Sequence, residues 1–80
     1  MADVLQADRE LDCQGMLCPL PVINLGKAMR TMQVGQIVKI IATDKGAPAD
    51  MQAYSRNTGN ELIDSHQEGD TFIFFFRKMK

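Results

Sequence analysis

The chain has 80 residues, with nine Lys and Arg against ten Asp and Glu and a formal charge of −1. That length allows one compact core and leaves no room for a second, so a single domain spanning residues 1–80 is expected. A near-neutral balance offers no cationic face for a phosphate backbone, which argues against direct nucleic-acid binding.

The chain starts with Asp3, Asp8, Glu10 and Asp12 among its first twelve residues and lacks the basic and apolar regions of a secretory signal. No apolar run approaches the roughly 20 residues that span a bilayer. A cytoplasmic protein with no membrane partner is therefore expected, and its two cysteines would be reduced. The alternation Glu10-Leu11-Asp12-Cys13 predicts a first strand ending near Cys13, with Val4 and Leu5 extending the same edge, and Gly15 breaks it.

From Val22, the apolar residues Val22, Leu25, Met29 and Met32 recur at steps of three and four, which places them on one face of a first helix. Pro19 and Pro21 suit its first turn and Gly35 its end. Residues 36–43 are β-branched and nearly continuous, as in a centrally placed strand. Pro48 opens a second helix running to about Thr58, with Met51, Tyr54 and Ser55 inward and Gly59 as its stop. Glu61 to His66 and Thr71 to Arg77 form two strands joined at Glu68-Gly69-Asp70. The order β-α-β-α-β-β, with a right-handed crossover, predicts an α/β two-layer sandwich: two helices on one face of a four-stranded mixed sheet. On the last strand Phe72, Phe74, Phe75 and Phe76 cannot all face inward, so aromatic surface is left for the N-terminal residues, a second chain or a docking partner to cover.

The segment that carries chemistry is Leu11-Asp12-Cys13-Gln14-Gly15-Met16-Leu17-Cys18-Pro19-Leu20-Pro21. Pro19 disfavours helical geometry at Cys18, which puts Cys18 in the extended conformation of an N-cap, with its sulfur at the positive end of the helix. The helix dipole is then expected to lower the thiol pKa and supply thiolate at neutral pH without a base. The two prolines remove N–H groups, so the amides of Leu20 and Val22 are the donors left to meet an anion.

The pattern Leu-Asp-Cys-x-Gly-x-x-Cys-Pro-x-Pro at 11 to 21, with Lys27-Ala28, Gly35, Ala42-Thr43-Asp44, Gly59-Asn60-Glu61-Leu62 and a basic C-terminus, resembles the TusA (SirA-like) family across essentially the whole chain. The resemblance implies a sulfur carrier that takes persulfide sulfur from a cysteine desulfurase, a rhodanese or a DsrE-type protein and relays it to an acceptor protein. It implies roles in tRNA thiolation, molybdenum cofactor supply or sulfur oxidation. The family's persulfide cysteine maps onto Cys18 alone, supported by Gly15, Pro19, Leu20 and Pro21 in the loop and helix start.

Cys13 alternates with Leu11 and is expected in the core; the other reading is a resolving thiol that pairs with Cys18. Asp44 would end the second strand at the same sheet edge as Cys18, either orienting a partner or a proton or capping a turn. Lys27 and Arg30 lie on the polar side of the first helix, as solvated charges or as contacts for an acidic partner. His66 reads as surface, and one His with two Cys outside a Cys-x-x-Cys pair predicts no zinc site and no cofactor. The rivals to a carrier are a thiol-disulfide protein using Cys13 and Cys18 and a non-catalytic interaction module, regulatory or RNA-associated. A shuttle that exposes its sulfur suits a monomer in transient complexes.

Overall fold

The computed structural model describes residues 6–80. Its elements are β1 (Arg9–Cys13), α1 (Leu20–Thr31), β2 (Ile37–Ala42), α2 (Ala47–Thr58), β3 (Glu61–Glu68) and β4 (Thr71–Arg77). The expected extension of the first strand by Val4 and Leu5 lies outside the described residues.

The sheet runs β1-β2-β4-β3. β1 and β2 are parallel, joined across α1, and β4 pairs antiparallel with β2 and β3. This is the expected mixed sheet carrying two helices. Register assigns the faces: Val38 stands opposite Phe76, Ile40 opposite Phe74 and Leu11, and Ala42 opposite Phe72 and Cys13. Because side chains alternate along a strand, these residues share one face, and they form the core with Leu25, Ala28, Met29 and Met32 from the α1 side and Ala47 and Met51 from α2. Tyr54 adds an edge-on contact to Phe76, ring centroids 5.5 Å apart.

The other side of β4 is also covered. Ile73 and Phe75 are only 7% and 6% exposed on the face without helices. Phe75 stands between Lys39 and Asp64, and the Lys39 ammonium lies 6.0 Å from its ring centroid. Long side chains snorkel across the aromatic ring and keep their charge in water. Outward aromatic surface, expected from alternation alone, is therefore largely absent at Phe75.

One expected helix limit and one expected strand limit are corrected. α1 ends with an extended residue at Met32, and Gly35 lies beyond it as a turn residue at φ 95, its amide donating to the Lys78 carbonyl at 2.8 Å. β3 continues through Glu68, so the hairpin turn is tighter than predicted. Gly59 does end α2, in the left-handed conformation that glycine adopts without a Cβ penalty.

The open carbonyls at the end of α1 are met from β4's far end. The Lys78 ammonium donates to Met29 O at 2.6 Å and Met32 O at 2.8 Å. A cation at a helix C-terminus satisfies orphan acceptors and opposes the dipole's negative end. Lys78→Met keeps the apolar stem and removes both bonds, so it should cost roughly 1.5–3 kcal/mol. For a domain of this size thermal melting should fall by roughly 6 °C or more. An unchanged melting temperature would mean that this cap contributes nothing.

Candidate functional site

The site is built on the turn from β1 to α1. Gly15 takes φ 80 at the point where the chain leaves the strand, and its amide donates to Thr43 Oγ1 at 2.8 Å, tying the loop to the end of β2. Met16 N bonds back to Cys13 O at 3.2 Å, and the Asn24 amide of α1 reaches Met16 Sδ at 3.1 Å. These ties place Cys18 at the carboxyl edge of the parallel strands, the edge where open α/β sheets present their sites.

Cys18 is a free, exposed thiol. It does not cap α1: the N-cap is Pro19, at φ −102 and ψ 22, and Leu20 is the first helical residue. The Cys18–Pro19 peptide bond is cis. The Leu20 amide, expected to face the sulfur, is instead bonded to Leu17 O at 2.9 Å in a tight turn. Cys18 thus sits one residue outside the helix, where the dipole acts less directly.

The neighbours of the sulfur come from elsewhere. Asp50, in the first turn of α2, has its Oδ2 hydrogen-bonded to Cys18 Sγ, the thiol donating. Asp44, in the loop just after β2, accepts the Gly46 amide at 2.9 Å, which folds the β2–α2 loop back on itself beside the cysteine. A Cβ added to Gly46 would lie 3.7 Å from Cys18 Cβ and 3.9 Å from its sulfur. The Cys18 thiol is pushed above its ordinary pKa, chiefly by donating to the Asp50 carboxylate, with desolvation and the charges of Asp50 and Asp44 adding to the shift. The expected lowering by the helix dipole is overturned: an accepting carboxylate favours the protonated thiol, and no basic group among the described residues opposes it.

Of the residues singled out from sequence, Gly15, Cys18, Pro19, Leu20 and Asp44 are brought to this edge. Pro21 is a buried residue of the first turn of α1 itself. Lys27 and Arg30 are not gathered there. Lys27 borders a cleft of about 290 Å³ with Arg9, Asp12, Cys13 and Asn24, while Arg30 borders a separate hollow with Tyr54 and Lys78. Cys13 is 1% exposed, its sulfur is unbridged, and burial pushes its thiol pKa up, which makes it a poor nucleophile.

Asp50 is the residue that sequence reasoning missed. An acidic residue in a helix's first turn has an ordinary explanation in the dipole, which hides any second role. The available signal was topological: in a parallel β-α-β unit the first turn of the next helix opens at the same edge as Cys18. Close to Cys18 in the chain, Leu17 is 70% exposed and Leu20 and Ile23 are about half exposed.

Residues 9–78 match the family model for sulfurtransferase TusA. The chain belongs to the TusA family. It is 44% identical to the sulfur carrier protein TusA of Allochromatium vinosum, over 89% of this chain and 93% of that one. It is 39% identical to the putative sulfur carrier protein YrkI of Bacillus subtilis, over 92% of this chain and 99% of that one. A SirA-like protein from Desulfitobacterium hafniense shares the fold at a TM-score of 0.77, 18% identity, and coverage of 90% of this chain and 99% of that one. TusA membership supports a role as a sulfur carrier and, with it, protein partners that give and take sulfur. No helix among the described residues is long and apolar enough to cross a membrane.

Proposed function

We propose that this TusA-family chain carries sulfur as a persulfide on Cys18. The observation that carries this reading is the contrast between the two thiols: Cys18 stands exposed on a loop anchored to both flanking elements, and Cys13 is sealed in the core. A sulfur held at a fixed, reachable point meets a partner's cysteine without first being ordered.

Loading transfers a sulfane sulfur without net oxidation. The Cys18 thiol loses its proton, and the sulfur's electron pair attacks the outer sulfur of a donor persulfide. A new S–S bond forms on Cys18, the donor's S–S bond breaks, and the donor cysteine leaves as thiolate and takes up a proton. Discharge reverses the roles: an acceptor thiolate attacks the outer sulfur, and Cys18 is the leaving thiolate. The donor is a cysteine desulfurase, rhodanese or DsrE-type protein. The acceptor serves tRNA thiolation, molybdenum cofactor supply or sulfur oxidation. The chain acts in the cytoplasm, as a monomer in transient complexes, and the exposed Leu17, Leu20 and Ile23 supply the apolar part of the contact.

Incubation with a cysteine desulfurase and L-cysteine should raise the intact mass by about 32 Da, and a reductant should remove the gain. No gain from a desulfurase, a rhodanese or a DsrE-type donor would defeat the reading.

A further inference from the structure

A carrier has to hold its cargo firmly enough to move it and loosely enough to give it up. The empty site has a specific hold on the sulfur, since the Cys18 thiol donates its hydrogen to Asp50 Oδ2. Asp50 is fixed for this by its place on α2, its own amide bonded to Gly46 O at 3.1 Å. We propose, resting on the carrier reading, that Asp50 is a latch for the empty state: it holds the thiol hydrogen of Cys18 and releases the site on loading, because a persulfidated Sγ has no hydrogen to give.

The loaded state differs in charge as well as in bonding. A persulfide is more acidic than a thiol, so loaded Cys18 ends in an ionised outer sulfur, its proton given to water. The charged groups bearing on this position are Asp50 on α2 and Asp44 in the β2–α2 loop. Both repel the new anion. The outer sulfur is therefore driven away from α2 and toward solvent. The same two carboxylates stabilise the empty carrier and destabilise the loaded one, which keeps the cargo transferable. In the free protein they also hold the thiol in its less reactive protonated form, protecting it from stray electrophiles.

The latch assigns Asp50→Asn two effects, one on the empty protein and one on the balance between empty and loaded. Asparagine keeps the size of the side chain, removes the charge and offers an amide N–H to an anionic sulfur. Alkylation of the empty protein by iodoacetamide at pH 7 should become about three- to tenfold faster, with its pH midpoint moved down. Protein loaded by a cysteine desulfurase and L-cysteine, then brought to equilibrium with glutathione, should keep its extra sulfur at a loaded-to-empty ratio about three- to tenfold higher, read by intact mass. Asp44→Asn, which removes a charge but not the hydrogen bond, should change both quantities in the same directions by less.

A loosened loop would speed alkylation without raising the loaded-to-empty ratio, and a merely structural Asp50 would leave both unchanged; either result overturns the latch. The alkylation arm uses only empty protein. Failure of wild-type loading would therefore count against the carrier reading, while unchanged alkylation of Asp50→Asn would count against the latch.

Discussion

Cys18→Ser is expected to abolish sulfur loading outright while leaving the fold intact. The side chain is exposed and contributes nothing to the core, so far-UV circular dichroism and thermal melting should match wild type within the small range of surface substitutions. A serine hydroxyl can still donate to Asp50, which preserves the local hydrogen bond, but it cannot attack a persulfide sulfur at neutral pH. The mass gain should vanish completely. Cys13→Ala provides the contrast: it removes a buried sulfur from the core and should load as wild type does, at some cost in stability. If Cys13→Ala instead abolished transfer, a dithiol mechanism would replace the carrier mechanism.

Phe76→Ala should be the most destabilising single change. The ring is fully buried, stands opposite Val38 on β2, and packs edge-on against Tyr54 of α2. Its removal takes a contact from both layers at once and leaves a cavity that a small sheet cannot collapse around, at a cost of about 3–5 kcal/mol. A chain of 80 residues has roughly 4–12 kcal/mol in total. The variant should therefore melt at least about 12 °C lower, and much of it should be unfolded at moderate urea concentration. A loss below about 1 kcal/mol would mean that the two layers are held together by something other than this packing.

Periodicity made the architecture legible. The three-and-four spacing of Leu25, Met29 and Met32 located the core face of α1, the β-branched run located β2, and Gly59 marked the end of α2 because its φ there is 82. These are local signals, and local signals survive tertiary context. The end of α1 was misread because Gly35 also serves a turn of positive φ, and glycine does not announce which of its two uses applies. The covering of Phe75 by Lys39 was invisible because it depends on strand register across β2 and β4, a pairing between residues far apart in the chain.

At the site, the sequence singled out Cys18 and missed the side chain that contacts it. Pro19 beside Cys18 marked the helix start, and the sulfur was assigned to the helix's positive end on that basis. The cap falls on Pro19 instead, and the sulfur's partner is Asp50, 32 residues further along the chain. A reading confined to one strand and one helix yields a lowered thiol pKa. Adding the second helix brings a carboxylate into contact with the thiol, and that contact pushes its pKa up. The reactivity of the free carrier is thus set by tertiary contact.

The most direct test is to locate the sulfur. After loading with a desulfurase and L-cysteine and capping with iodoacetamide, cleavage after Arg9 and Lys27 leaves both cysteines in one peptide, residues 10–27. Fragment ions that divide this peptide between Cys13 and Cys18 assign the extra mass of about 32 Da to one side. The account predicts that all of it travels with the fragments containing Cys18. Extra sulfur on fragments ending at Cys13, or none on either, would contradict it.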